Sequence, residues 1–96
     1  MLKIKRIKVG KKIILAIDLK LLDKHLIVLR GSKGYVMCGY LNLKAADKFG
    51  DCAVKITGVC SVQESLRARV HSCSRQARKM GICKGRLIKD ILAKIA

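Results

Sequence analysis

The sequence predicts an α+β domain: a mainly antiparallel sheet of about five strands with three helices packed on it. Three features of the 96 residues carry that reading. Runs rich in Ile, Leu and Val, split by tight turns, fill the first third. The run Tyr35–Cys38 stops at Gly39, just before a helix signal, and from Val62 onward the apolar period is that of a helix.

Leu2 to Val9 has apolar residues at 2, 4, 7 and 9, so its alternation slips by one residue around Lys5 and Arg6. Such a slip implies a β-bulge, or an edge strand guarded by its lysines. Gly10, Lys11 and Lys12 read as a turn. Ile13 to Leu19 is almost continuously apolar and β-branched, as in a strand covered on both faces, with Asp18 the interruption. Asp23 and Lys24 form the next turn and Leu26 to Leu29 a third strand. Gly31 to Gly34 is then a hairpin loop leading into Tyr35. Strands joined this tightly make an antiparallel meander.

Asn42 stands where an N-cap would, ahead of a helix of about two turns that ends at Phe49 and is closed by Gly50. Ala53 to Thr57 alternates, Val54 and Ile56 on one face and Lys55 on the other, as the fifth strand. Ser61 and Glu64 form a capping-box pattern. Behind it Val62, Leu66, Val70, Cys73, Ala77 and Met80 fall within an arc of about 80° on a helical wheel. Gly81 ends that helix and Ile82 to Lys84 connects. Arg86 to Ile95 forms the last helix, with Leu87, Ile88, Ile91, Leu92 and Ile95 inward.

Composition bounds the function. A chain of 96 residues, 51% hydrophobic, holds one core and reads as a single domain over 1–96, with residues 1–24 a β region for assembly and 25–96 the body. Twenty-two basic against six acidic residues give a net charge of +16, which repels like chains and attracts polyanions. No apolar run approaches the ~20 residues of a membrane span, and no cleavable leader is evident. Five cysteines, an odd number without a C-x-x-C pair, argue against a disulfide framework and a zinc ribbon, and for a reducing, cytoplasmic setting.

The segment GYVMCGYL from Gly34, the stretch Ala53–Val59 ending in TGV, and KMGICKG around Met80–Gly85 together resemble the YunC-like domain of unknown function found in bacteria and archaea. Before about Leu26 the likeness is one of strand character only. The resemblance implies an assembly, a tetramer made by the N-terminal β region, and no chemistry. This sequence departs from the family pattern in a shorter first helix and in lacking a proline near Arg69, which leaves the helix from Val62 either continuous or broken there.

Four constellations bear on function. Arg67, His71, Arg75 and Arg78, spaced four, four and three, would line one face of a continuous helix and could meet phosphates, although no aromatic residue interleaves to stack bases. Cys38, at a strand end before a helix, reads first as a packed hydrophobe with Gly39 giving close backbone approach. Its second reading is a thiol nucleophile, for which neither His25 nor His71 shows a carboxylate partner in the sequence. His25 reads as a solvated imidazole in a turn. Gly81 and Gly85 are spaced four apart, unlike the three of a GXXG nucleotide clamp, and read as a helix-to-helix turn. Ile13, Ile14, Leu15 and Ile17, apolar on both faces of one strand, mark a subunit interface.

His71 and Cys73 make a lone H-x-C pair, which a helix would place about 200° apart, so no metal site is expected. Paired carboxylates, a glycine-rich phosphate loop and a metalloprotease signature are missing too, and no cofactor is expected. The expectation is a small homo-oligomeric binding or scaffold protein whose partner is another copy of itself. The alternatives are nonspecific binding of nucleic acid or another polyanion through the basic helix face, and a thiol enzyme using Cys38.

Overall fold

The computed structural model describes residues 2–39 and 42–96. Tyr40 and Leu41, the last part of the Gly34–Leu41 junction, lie outside the described residues, as does Met1. The architecture is α+β as expected, with, among the described residues, six strands in place of five and four helices in place of three. The strands are β1 (Leu2–Val9), β2 (Lys12–Leu21), β3 (Lys24–Arg30), β4 (Tyr35–Met37), β5 (Ala53–Lys55) and β6 (Ser72–Cys73). They lie side by side in chain order, antiparallel except for β4 and β5, which run parallel. The helices are α1 (Leu43–Phe49), α2 (Val62–Arg67), α3 (Arg75–Lys79) and α4 (Ile88–Ile95).

The slip in β1 is not a bulge. Its register to β2 is unbroken from Leu2↔Leu19 to Val9↔Lys12. Because ladder partners share a face, Leu2 and Ile4 point to one side of the sheet, with Ile17 and Leu19. Ile7 and Val9 point to the other, where both pack on the main core. The strand is an edge strand whose apolar residues change faces halfway, and Lys3, Lys5, Arg6 and Lys8 fill the positions left over.

The front of the sheet carries the main core. Ile14, Ala16, Leu29, Val36, Val54 and Ile56 are buried there against Ile88, Ile91, Leu92 and Ile95 of α4, with Val62 and Leu66 of α2 beside them. On the back, among the described residues, the cover lies near β4 and β5, where Ala46 of α1 packs on Met37 and Ala53. The sharp turn between β2 and β3 falls at Leu22 and Asp23, one residue earlier than expected, and Leu22 adopts a left-handed φ of 53°.

The largest departure is the region after Val62. A single amphipathic helix to Met80 is not what forms: α2 ends at Arg67, Ala68 is extended, and a new helix starts only after Ser74, whose hydroxyl accepts from the Ala77 N–H. The segment between is claimed by two neighbours. On one side His71 N–H donates to the Lys55 carbonyl and Ser74 N–H to that of Ala53. On the other, Val70 N–H donates to Arg86, and Gly85 and Ile88 donate to Val70 and Ala68. These bonds satisfy the open edge of β5, and Val70, Cys73 and Ala77 remain buried although the helix that would have aligned them is absent. The pairing of Arg69 with Leu87 also delays α4, which starts at Ile88 instead of Arg86.

The caps expected at Asn42, Ser61 and Gly50 form. Asn42 accepts from Lys44 N–H, Ser61 from Glu64 N–H, and Gly50 takes a left-handed φ of 73°. Glu64 accepts from the N–H of Cys60, one residue outside the usual box. Gly31 and Gly34, at the two ends of the β3–β4 loop, are needed for close approach. A Cβ on Gly31 would overlap the Ile95 carbonyl, and one on Gly34 the Cys52 carbonyl. Gly31→Ala is expected to destabilise the fold at or beyond the upper end of the roughly 1–3 kcal/mol typical of overpacking, whereas Gly10→Ala meets no atoms and costs only its left-handed backbone. Thermal unfolding of the two variants checks this, and equal midpoints would be the contrary result.

Candidate functional site

Parallel strands cannot be joined by a hairpin, so the chain leaves the sheet after β4 and returns to begin β5. After β4 it forms α1 on the back; after β5 it forms α2 on the front. A crevice opens outside the carboxyl ends of two parallel strands where their connections depart to opposite faces, and this is the usual ligand position in open sheets of this kind. A cavity of about 430 Å³ lies there, lined by Asp23, Lys24 and His25 from the β2–β3 turn, Cys38 and Gly39 after β4, and Gly58, Val59 and Cys60 after β5.

Sheet register brings three of the chain's reactive side chains to one end of this crevice. Val28 pairs with Met37, so continuing the ladder by one residue sets Cys38 beside Ile27, which on its other flank pairs with Asp18. Asp18, Ile27 and Cys38 form a row on the front face. His25 is two residues from Ile27 on that face, hence a diagonal neighbour of both ends of the row, within reach of a ring side chain. The Asp18 side is realised: His25 Nδ1 is 2.6 Å from Asp18 Oδ1, the one ion pair among the described residues. This corrects two expectations. His25 is not a solvated turn residue, because it lies half-buried within β3, and it does have a carboxylate partner. His25 also lines the crevice.

Cys38 is buried, 3% exposed, and lines the crevice. Gly39 does not serve close packing, because a Cβ there would meet nothing within 4 Å and its φ is not left-handed. Gly39 lines the crevice, where a side chain would take up space. Among the described residues no acceptor is found for the backbone N–H of Gly39, Gly58 or Val59, which leaves donors at the lining.

The basic stripe is not brought together as expected. Arg67 ends α2, His71 lies in the extended segment, and Arg75 and Arg78 are on α3, so no single helix face presents the four. His71 and Arg78 meet Lys84 along a separate depression of about 500 Å³ that also touches Cys73 and Cys83. The helical argument against His71 and Cys73 as co-ligands lapses, since the segment is extended. Even so, no group of three or more His, Cys, Asp or Glu side chains could hold a metal ion among the described residues. No helix is long and apolar enough to cross a membrane.

The interface candidates divide by face. Ile14 is fully buried under the subunit's own helices and is unavailable to any partner. Ile13, Leu15 and Ile17 lie on the back of the sheet, where register joins them to Leu2, Ile4, Leu19, Leu26 and Val28. Among the described residues no helix packs on this half of the back face. Ile4 stays 59% exposed and Ile13 48%, while Arg6, Lys8 and Arg30 share the end of the face near Leu15.

The sequence matches the model of a domain of unknown function (DUF1805) over residues 37–95. A crystal structure of a protein of unknown function from Thermoplasma acidophilum is similar throughout, with 36% identity, a TM-score of 0.95, and coverage of 100% of this chain and 94% of that one. No curated protein matches. The resemblance drawn from the Gly34, Ala53 and Met80 segments is borne out. The structural likeness also extends over the N-terminal strands, which the family match leaves out.

The cysteines differ in accessibility, and this generates a prediction. Burial pushes the thiols of Cys52 and Cys73 up, the latter against the opposing pull of Arg78, while Cys60 and Cys83 are exposed. In the native protein a thiol reagent is expected to modify Cys60 and Cys83 first and Cys52 and Cys73 only on unfolding, as peptide mass mapping would read. A raised folded-state value means the fold binds the thiol proton more tightly than the unfolded chain does. The stability from these two groups is therefore complete below the ordinary value of 9.0 and declines as pH rises above it. Chemical denaturation at pH 8 and pH 10 should show that decline, reduced in Cys52→Ala/Cys73→Ala.

Proposed function

The chain belongs to the family defined by the DUF1805 domain of unknown function, and on that premise we propose that it is a homo-oligomeric binding protein: its copies join through the bare half of the sheet's back face, and a small ligand enters the crevice at the ends of β4 and β5. The observation that carries this reading is the topology of the parallel pair, which leaves one part of the sheet without a cover and opens a lined cavity beside it. The cavity lies within the 300–1,000 Å³ range of small-molecule sites.

A second copy is the natural occupant of the apolar face. Complete burial of an Ile or Leu side chain contributes roughly 1.5–3 kcal/mol, and at least six such side chains share this face, most of them partly exposed. Closed symmetric assemblies are the usual way to cover such a surface, and the family resemblance supports a tetramer. The charge of +16 per chain opposes association, and salt screens that repulsion. A second reading, contact with nucleic acid or another polyanion, is supported by the same charge and by the depression where His71 and Arg78 meet Lys84.

Three measurements test these readings. Light scattering on the intact chain is expected to give an oligomer that tightens with salt, and Ile4→Lys/Ile17→Lys a folded monomer; a monomer from the intact chain at micromolar concentration and moderate salt would sink the assembly. Native mass spectrometry is expected to find a small molecule retained by the purified protein and lost in Gly39→Leu, whose side chain fills the crevice. If a duplex binds through the basic depression, Arg78→Ala/Lys84→Ala lowers the log–log salt slope by roughly 0.9 for each phosphate that is no longer neutralised. An unchanged slope removes the depression from consideration.

A further inference from the structure

Each lining element of the crevice supplies a different part of a reaction site. Cys38 directly follows β4, with the ladder behind it, and lines the crevice although it is otherwise buried. His25 reaches the same end from the neighbouring strand with its Nδ1 engaged by Asp18 at 2.6 Å. That bond engages Nδ1, and the register sets His25 as a diagonal neighbour of Cys38 in the same lining, the arrangement by which a third group fixes the base that activates a nucleophile. The N–H of Gly39 follows the thiol in the chain and has no acceptor among the described residues. A backbone donor next to a nucleophile is placed to stabilise an oxyanion.

We propose that Cys38 is the nucleophile of a thiol site in which His25, oriented by Asp18, takes the thiol proton, and that the substrate class is a small activated acyl compound, an ester or a thioester. The inference rests on the crevice being the ligand site. In the first half-reaction the Cys38 S–H proton passes to His25 Nε2 and Sγ bonds to the acyl carbon. The carbonyl oxygen takes up the negative charge, against the N–H groups of Gly39 and its neighbours in the lining. Collapse of that intermediate breaks the bond to the leaving group, which departs with the proton from His25. In the second half-reaction water attacks the thioester with His25 again accepting a proton, and the carboxylic acid and the free thiol are released. No electrons change hands and no co-reactant beyond water is required.

The proposal accounts for features that the fold alone does not. Asp18 interrupts an otherwise apolar strand and is half-buried. Packing would favour an aliphatic side chain there, opposite Ile27, whereas a base needs a carboxylate. Gly39 has no structural need to be glycine, and a cavity that admits an acyl group needs that space. Cys38 is the one cysteine in the lining that is sheltered from bulk water, which distinguishes it from exposed Cys60 across the crevice.

The test uses the full-length protein with Cys60→Ser and Cys83→Ser, so that no exposed thiol competes, and p-nitrophenyl acetate as the probe. The expected result is a burst of p-nitrophenolate with an acetyl group located on Cys38 by peptide mass mapping. The burst rate should fall roughly 10²–10⁴-fold in His25→Gln and more modestly in Asp18→Asn. As a positioning residue Asp18 is read through the pH profile. Lys3, Lys5, Lys20, Asp23 and Lys24 are the other charged groups that the register and the linings place about the pair, and they stay unaltered. In the Cys60→Ser/Cys83→Ser parent the half-maximal rate should lie at lower pH than with His25→Gln added, with Asp18→Asn between them. Circular dichroism confirms folding of each variant, and Cys38→Ser, nearly isosteric, supplies the unreactive control should His25→Gln fail to fold. No acetyl group on Cys38, or a burst rate and pH profile indifferent to His25→Gln and Asp18→Asn, overturns the proposal. If Cys38 stays unmodified while native mass spectrometry still finds a small molecule that Gly39→Leu displaces, the thiol chemistry fails and the binding reading stands; if neither is seen, both fail.

Discussion

The parallel pairing of β4 with β5 is the constraint on which the rest of the molecule depends. Every other neighbouring pair in the sheet is antiparallel, and the first four strands follow one another through short turns. At β4 that pattern ends, because a parallel neighbour can be reached only by a crossover. The crossover places α1 on the back of the sheet, and the three remaining helices gather at the front and the β5 edge, where most of the large buried side chains lie. One two-turn helix cannot span a six-stranded sheet. Bare apolar surface over β1 to β3 and an open crevice at the ends of β4 and β5 are thus two outcomes of a single topological choice.

Much of this was legible in the sequence because the signals are local. Asn42, Ser61 with Glu64, and Gly50 act through bonds to residues two to four away, and their caps form, with Glu64 accepting from Cys60 instead of Ser61. What was not legible depends on partners distant in the chain. The apolar arc from Val62 to Met80 satisfied a helix, but β5 needed a neighbour on its open edge, and the bonds from His71 and Ser74 to Lys55 and Ala53 outweigh periodicity. A faint signal was present in Val70 and in the Ser-Cys-Ser run at 72–74, which suit a strand end and a second cap better than a helix interior. The His25–Asp18 pair was invisible for a related reason. Seven residues and a turn separate the two, and only the register of β2 on β3 makes them diagonal neighbours.

The back face shows how composition misleads when read without geometry. Five apolar residues in succession at 13–17 suggested a strand covered twice over, and one cover is present within the subunit. The cationic residues are not a uniform shell either. Arg6, Lys8 and Arg30 share the bare face with Leu15 and Ile13, while its other end, around Leu2, Ile4 and Leu19, is apolar. Any surface laid on this face must meet charge at one end and hydrocarbon at the other. That polarity restricts how two such surfaces can be superposed: in a two-fold arrangement the apolar ends can be joined with the cationic ends kept apart.

The change of face within β1 has a consequence for how the chain can diverge. Leu2 and Ile4 serve the back while Ile7 and Val9 serve the front, so the strand carries two messages written in opposite phase. Substitution can alter either message one residue at a time. A single-residue insertion or deletion near Lys5 is another matter, because side chains alternate with a period of two and a shift of one carries every residue beyond it to the wrong side. Lineages that keep this edge are therefore expected to vary freely in the letters of the strand and to hold its length fixed, with gaps in related sequences falling at Gly10 or at the Leu22 turn instead.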